Sequence, residues 1–456
     1  MKLSLLTSLV LACCSPFASA QTPEIAPPLQ LMQPQGSAAP PPVITLKDAL
    51  DRAQQVDAGY QGAIADAAVA REDRFQAKAA LKPSVNHLTQ YLGTQGNGVL
   101  PSGRFVTNDG VHVYRSWGSV HQDIGPELFF NNTYRRAQAA EALAAAKVEI
   151  TQRGLAVTVT RNYYALVTSQ RKYATAQQSL QQAQRFLQIT QQQEQAGLVA
   201  HSDVVKAQIQ FEQQRQAIQE ATLAMGQTRL NLAVLIFPDL NENFTVVDDL
   251  NTALTLPPFP DVQAMGERQN PDLRVAEETL RAATQDVHIA RNALLPSIGI
   301  DGNYGIEANA FALHSTVAAF PQAGVLPNLG YFIDARFNLP IFDWGARRSK
   351  VRQAEFREKQ AQVQLTQTQR QLVTNLYLFY NEALTARASL DTLRRAADLA
   401  AESLRLINLR YQAGESTALE VVDAQNTVIQ AQNAYDDAET RYRIAISTLQ
   451  TVTGPF

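Results

Sequence analysis

The chain has 456 residues, of which 45% are hydrophobic and 18% charged, and its formal net charge is -3. So small a charge, with no aromatic recognition motif beside the pairs Arg135-Arg136 and Arg347-Arg348, excludes nucleic acid as a partner. After the first residues no run approaches the ~20 apolar residues of a membrane-spanning helix, so any crossing of a membrane must use strands.

Residues 1–20 predict a secretory signal peptide. Lys2 is followed by an apolar stretch, and Ala18-Ser19-Ala20 forms a small-residue cleavage site. Cleavage there would remove both cysteines of the chain and leave no thiol chemistry. In the alternative interpretation Cys13 ends a weak lipoprotein box and carries a lipid anchor, although Leu11 suits that box poorly.

Residues 21–44 are rich in proline, glutamine and alanine and predict an extended tether. Two similar halves follow, at 45–236 and 259–456, with a linker at 237–258. "AKAALKPSV" in the first half recurs as "ARNALLPSI" in the second, which indicates a tandem structural repeat.

Each half contains two segments predicted to be β-strands. The alternation of apolar and polar residues is weaker at 83–92 and 111–124 and clear at 297–306 and 330–339. Segments of about ten residues suffice to cross an outer membrane when tilted. Because lipid does not tolerate open sheet edges and four strands cannot close a barrel, spanning strands would require oligomerisation.

Each half ends in a long helical hairpin, predicted at 130–236 and 343–453. Neither hairpin contains an interior proline, and each is interrupted by one glycine turn, at Gly197 or Gly414. Apolar and aromatic residues after the second turn alternate spacings of three and four, which predicts an antiparallel coiled coil. These residues are Val421, Ala424, Val428, Ala431, Tyr435, Ala438, Tyr442, Ala445, Leu449 and Val452. Taken alone, the hairpins would also suit a solvated coiled-coil rod.

An enzyme is not expected. The six histidines have no metal-ligand spacing, and the chain has neither a glycine-rich phosphate loop nor a G-x-S-x-G elbow. The sequence therefore predicts no catalytic residues, no metal and no cofactor.

The helices and hairpins follow one another in a duplicated order, "LPIFDWGARR" stands at the start of the second long helix, and the turns read "GLVAHSDV" and "AGESTALEVVDAQ". In these features the sequence resembles the TolC family of outer-membrane efflux ducts. The resemblance covers nearly all of the mature chain. It implies a mainly α fold with β, in which a homotrimer forms a twelve-stranded outer-membrane β-barrel continuous with a twelve-helix periplasmic coiled-coil barrel.

The resemblance also implies an exit duct of a tripartite efflux or secretion system. Such a duct conducts substrates passively to the outside from a periplasmic adaptor (membrane fusion) protein and an inner-membrane pump of RND or ABC type. The alternative is a secreted periplasmic coiled-coil adaptor or scaffold without a pore, which leaves the alternating segments unexplained. The exported substrate and the class of pump stay open.

The resemblance assigns a pore constriction to Glu420 and Asp423. Their spacing of three residues places both on one helix face. Three chains would bring six carboxylates together and attract cations. The alternative for Glu420 is a helix cap, because Thr417-Ala418-Leu419-Glu420 fits a capping box.

The resemblance assigns a closed-state latch, which links the two tips, to Asp203 and Tyr411. Ser416 stands where the family has an arginine of this latch, so a looser or differently bonded closed state is expected. Tyr411 can alternatively be read as the end of its hydrophobic ladder. Docking of the adaptor is implied at the two turns. The residues concerned are Gly197, Leu198, Val199, Gly414, Glu415 and Ser416.

Overall fold

The structure is a computed structural model that describes residues 41–93, 112–239, 243–252, 254–308, 313–314 and 328–455. The predicted signal at 1–20, most of the predicted tether and most of the loops between the paired strands lie outside the described residues.

Apart from the short helix Pro126–Phe130, the described elements follow one another twice in the same order. In chain order they are β1 (Val43–Ile44), α1 (Leu46–Val56), α2 (Ala58–Ala79), β2 (Ser84–Gly93), β3 (His112–Ile124), α3 (Pro126–Phe130), α4 (Asn132–Gln195), α5 (His201–Ile236), β4 (Thr245–Val246), α6 (Phe259–Gln269), α7 (Pro271–Asn292), β5 (Ser297–Ala308), β6 (Leu329–Asn338), α8 (Ala346–Gln412) and α9 (Ala418–Thr453). The predicted mainly α fold with β is confirmed.

Four helices form two long hairpins. At ~1.5 Å per residue, α4 with 64 residues and α8 with 67 residues are each on the order of 100 Å long. The return helices α5 and α9 have 36 residues each, or roughly 55 Å. The shorter α2 packs against α4, and α7 packs against both α4 and α8, so these helices accompany the part of each long helix that its return helix does not reach. No helix among the described residues combines the length and apolar character needed to cross a bilayer.

The predicted coiled-coil ladder lies in the interface between α8 and α9. Every ladder residue of α9 is buried or half-buried, and Ala383 and Ala386 of α8 form one cluster with Tyr442 and Ala445 of α9. Alanine at these positions lets the two backbones approach closely. The antiparallel pairing of the hairpins is therefore confirmed, and the seam is narrow as the composition indicated.

The strands β2, β3, β5 and β6 form a four-stranded antiparallel sheet in the order β2-β3-β5-β6. Its register places Ile298 opposite Phe337 and Tyr304 opposite Tyr331, so the apolar faces of β5 and β6 form one continuous surface. The opposite face is polar, and the His121 imidazole lies 2.6 Å from the Asp301 carboxylate there. The β5–β6 half of the sheet thus has one apolar and one charged face, whereas the β2–β3 half also carries His87, Thr89 and Ser116 on the apolar side.

The end of the predicted tether and the linker between the halves both contribute to the core, which differs from the extended conformation predicted for the tether. β1 pairs in parallel with β4, and Ile44 and Phe244 are buried in one cluster. The Tyr163 hydroxyl of α4 donates to the carbonyls of Ile44 and Val247, at 3.2 and 2.7 Å. These apolar side chains fill space beside α4, which explains why the segments are ordered against it.

Two arginines tie this linker to both hairpins. Arg443 of α9 donates to three backbone carbonyls of the linker, and Arg171 of α4 makes two hydrogen bonds to Asp248, at 2.5 and 2.7 Å. Arg171 also contacts Glu439 and Asp436, which are buried in α9. Burial raises the pKa of the Asp436 carboxyl although the nearby Arg171 charge opposes that shift.

Candidate functional site

The two helix-to-helix turns are built in the same way. Gly197 and Gly414 have positive φ angles of 74° and 77°. The amides of Leu198 and Glu415 each donate, at 2.8 Å, to the carbonyl five residues earlier in the chain. This hydrogen bond and the left-handed glycine define a Schellman ending, which explains why both turns contain glycine at this place.

Glu420 lies in the first turn of α9, close to the second tip. Its amide donates to the Thr417 hydroxyl at 3.3 Å, which is one half of the capping box that the sequence allowed. Its carboxylate lies 2.5 Å from the Ser416 hydroxyl instead of bonding to the Thr417 amide. Ser416 therefore bonds to the candidate constriction residue.

Asp423 shares an exposed face of α9 with Glu420, whereas Val421 and Ala424 between and beside them are buried. Within the described chain the Asp423 carboxylate makes no hydrogen bond or ion pair. The two acidic side chains thus face away from the rest of the described chain. No group of three histidine, cysteine or acidic residues suited to a metal ion occurs in the described part of one chain.

Tyr411 joins the two hairpins at the tips. Its side chain is 5% exposed, and its hydroxyl lies 3.1 Å from the hydroxyl of the fully buried Thr190 on α4. Because Thr190 donates to the Phe186 carbonyl at 2.9 Å, Tyr411 is the donor in the pair. Burial raises the pKa of the Tyr411 hydroxyl, and the Asp203 charge adds to this shift.

In the described chain the Asp203 carboxylate has a partner on its own helix. Its carboxylate lies 3.4 Å from the Lys206 ammonium, one turn along α5. In the described chain Asp203 and Tyr411 are therefore not joined by a direct hydrogen bond, because Tyr411 already donates to Thr190. Asp203 influences Tyr411 only through its charge.

Thr190 is not among the residues predicted from the sequence, although the sequence contains a signal for it. Five buried residues of α4 follow spacings of three, four, three and four, and so continue the coiled-coil pattern up to the tip. They are Ala176, Ser179, Ala183, Phe186 and Thr190. Extending the ladder into α4 would have placed Thr190 in the interface.

The tip of the chain, where the two turns lie, is one packed unit made from both hairpins. Phe186 and Ala207 of the first hairpin form a cluster with Tyr411, Ala418 and Val421 of the second. Further from the turns, Gln210 on α5, which is 1% exposed, donates to the Asn426 side chain on α9 at 3.0 Å. Separating the two hairpins of a protomer must break these contacts.

His201 and Glu194 close the first turn, where α5 begins without a side-chain cap. The His201 Nδ1 atom lies 2.7 Å from a Glu194 carboxylate oxygen, and the imidazole is exposed. His201 is therefore a turn residue with a local partner.

The chain matches the family described as "Outer membrane efflux protein" over residues 46–236 and 266–455. It is 27% identical over 335 residues to outer membrane protein OprJ of Pseudomonas aeruginosa, a match that covers 69% of this chain and 63% of OprJ. It is 24% identical over 336 residues to outer membrane protein TolC of Vibrio cholerae, covering 70% of this chain and 71% of TolC. The aligned part thus spans less than two thirds of OprJ.

Among solved structures, the fold is similar to that of outer membrane protein VceC from Vibrio cholerae. The TM-score is 0.75 at 17% identity, and the match covers 90% of this chain and 96% of VceC. At this identity the likeness establishes the fold.

Proposed function

The chain belongs to the outer membrane efflux protein family, and we propose that it is the exit duct of a tripartite efflux or secretion system. In this role it conducts substrates passively to the outside, without chemistry of its own. The observation that carries the proposal is the union, in one chain, of a sheet with an exposed apolar face and two helical hairpins on the order of 100 Å long.

The sheet supports insertion into the outer membrane. Its apolar face presents Tyr331, which is 79% exposed, together with Ile333, Phe337 and Val85. Apolar surface left in water forgoes about 25 cal/mol for each Å² that could be buried, so this face needs a lipid contact or a partner. The opposite face holds an ion-paired network of Asp301 with neighbouring strands, as a water-filled lumen requires.

The sheet edges support a trimer. In the described residues β2 and β6 have no strand partner on their outer sides. Pairing β6 of one copy with β2 of the next would close three four-stranded sheets into one twelve-stranded barrel and satisfy the backbone groups that lipid cannot. The hairpins would then close into a twelve-helix tunnel below the barrel.

The tips support a regulated aperture. In such a trimer the exposed Glu420 and Asp423 side chains of three copies would converge and repel one another while attracting cations. The Tyr411–Thr190 link would hold the two hairpins of each copy together in the closed state. A latch through Asp203 would act by its charge on this link.

The turns support docking to an adaptor and, through it, to an inner-membrane pump. Leu198, which is largely exposed, lies beside Gly197 and Val199 at the first turn, and Leu419 is exposed just after the second. Exposed apolar residues on a rigid turn suit recognition by another protein. Gly414, Glu415 and Ser416 complete the surface.

Adjacent residues of β6 provide a test of the membrane role. Ile333 lies on the apolar face and Asp334 on the charged face. Ile333→Lys places a charge in lipid, at about 2–4 kcal/mol near the midplane, whereas Asp334→Lys places the same group in the proposed lumen. We expect Ile333→Lys to abolish heat-modifiable migration and outer-membrane fractionation, and Asp334→Lys to retain both.

The same measurement separates the duct from a pore-free adaptor. An adaptor would stay periplasmic or follow the inner membrane, and both lysine variants would fractionate like the parent protein. That result would contradict the proposed function.

A further inference from the structure

Large apolar side chains are exposed where each half of the chain passes from its second strand to its long helix. After β6, Trp344 is 90% exposed and Ile341 is 88% exposed. The Phe342 and Trp344 rings contact each other with centroids 4.8 Å apart. After β3, Phe129 and Phe130 are exposed in the same way. We call these two segments the junctions.

The aromatic residue has the same position in both junctions. Phe130 precedes Asn131, the N-cap of α4, and Trp344 precedes Gly345, the N-cap of α8. Asn131 and Gly345 are left-handed, with φ angles of 54° and 82°, and Trp344 is left-handed too, at 55°. A positive φ is uncommon for a residue other than glycine, and it is least suited to a bulky one. Since Trp344 contacts little of its own chain, a reason for tryptophan at this place has to lie outside the chain.

The junctions continue the apolar face of the sheet. Leu339 and Ile341 follow Phe337 at intervals of two residues, and all three are exposed. Trp344 therefore lies at the end of the surface that faces lipid in the proposed duct, on the side from which the long helices leave.

Basic residues follow directly in both long helices. Arg135 and Arg136 lie in the first turn of α4, and Arg347, Arg348 and Lys350 lie in the first turns of α8. Arg136 is paired with Asp286 at 2.5 Å, and Arg347 lies 3.9 Å from Asp343. Arg135, Arg348 and Lys350 are exposed and have no ion-pair partner in the described chain. Each junction thus places an aromatic side chain next to at least one basic residue without an ion-pair partner in the described chain.

Resting on the proposed function, we infer that the junctions form an interfacial binding surface for anionic phospholipid. Trp344 and Phe130 enter the boundary between headgroups and acyl chains, where aromatic rings are favoured. Arg135, Arg348 and Lys350 bind the headgroup phosphates of the leaflet that faces the long helices, each contributing in the way that basic residues beside a membrane attract acidic lipid. Charge complementarity and continuity with the apolar sheet face select this partner.

The two tryptophans of the chain allow a direct test. Trp117→Phe leaves Trp344 as the single emitter, and Trp344→Phe leaves Trp117, which packs edge-on to Phe332 on the charged face. Both variants are reconstituted into vesicles of ordinary or brominated phosphatidylcholine. We expect bromine near the headgroup end of the acyl chain to reduce Trp344 emission at least about two-fold, because Trp344 lies at the interface. Trp117 should respond to aqueous acrylamide and not to bromolipid.

A second arm tests the charges. In the Trp117→Phe protein, a minor fraction of brominated phosphatidylglycerol should quench Trp344 more than the same fraction of brominated phosphatidylcholine. When Arg348→Gln and Lys350→Gln are added, the two brominated lipids should quench Trp344 equally, so that the ratio of their quenching becomes one. Arg394→Gln with Arg395→Gln removes two exposed charges far along the same helix and should leave the ratio unchanged.

The results separate this inference from the proposed function. The lipid-binding surface is contradicted if the protein conducts and is heat-modifiable but its Trp344 is quenched by acrylamide alone. It is also contradicted if neither agent quenches Trp344 because a second copy covers it. Both outcomes leave the proposed duct intact. Equal quenching by the two brominated lipids in the parent overturns the role of the basic residues. Failure of the Trp117→Phe and parent proteins to insert at all counts against the duct itself.

Discussion

Gly414 offers the sharpest test of how the second tip works. Its φ is 77°, and a Cβ built on it has no heavy atom within 4 Å. A side chain there would meet open space, so a substitution acts through backbone strain alone. The left-handed conformation costs L-residues roughly 1–2 kcal/mol, with asparagine the best tolerated and β-branched residues the worst.

The expected order of tip function is therefore Gly414, then Gly414→Asn, then Gly414→Ala, then Gly414→Val. Since 1.4 kcal/mol is a factor of ten, Gly414→Val should lower the equilibrium constant for forming the native turn by about ten-fold in each chain. A trimer contains three such turns, so coupling to the adaptor should suffer more than the single-chain figure suggests.

The assay is accumulation of a fluorescent pump substrate in cells that depend on this duct, with heat-modifiable migration as the measure of insertion. We expect Gly414→Val to impair efflux while insertion stays normal. Gly226→Ala is a matched control, because Gly226 is exposed in the middle of α5 and its Cβ also meets open space. There alanine should favour the helix by about 1 kcal/mol.

Normal efflux from Gly414→Val would refute the reasoning about the turn. An equal loss in Gly414→Asn and Gly414→Val would refute it as well, since strain predicts a difference between them.

Three further predictions concern the tips and the anchored linker. A double-mutant cycle of Tyr411→Phe and Thr190→Val should show a coupling of about 1 kcal/mol in the free energy of unfolding, as for one neutral hydrogen bond, and a coupling of zero would contradict the link. Because burial raises the pKa of Asp436, its charged form opposes folding above that pKa and the opposition is relieved as the pH falls through it. Asp436→Asn should therefore raise the Tm at neutral pH, by an amount that shrinks on acidification, and a pH-independent difference would contradict the assignment. Glu420→Gln with Asp423→Asn should weaken block of the conductance by divalent or trivalent cations in bilayer recordings, and unchanged block would place the constriction elsewhere.

Most of the fold could be predicted from the periodic spacing of apolar residues along the sequence. The spacing of Val421, Ala424 and Leu449 predicted the buried seam of α9, and the alternation around Ile298 and Phe337 predicted the strands and their apolar face. Both patterns reflect burial on one side of a regular element, which a single sequence records directly.

Contacts between segments that are distant in the chain were harder to foresee. Phe244 lies in a short stretch with no period of its own, so nothing local shows that it joins Ile44 beside α4. The latch at Asp203 and Tyr411 stays a prediction. The hydrogen bond from Tyr411 to Thr190 was not foreseen, because such partners depend on rotamers and on a residue of another helix. Such pairings are set by tertiary packing and not by spacing along the chain.

The most direct measurement is the conductance of the purified mature protein in a planar bilayer, with its subunit number determined in the same detergent. We expect uniform steps of conductance from a particle of three chains. A protein that stays monomeric in water and never opens a conductance in lipid would contradict the central claim that three sheets close into one tube.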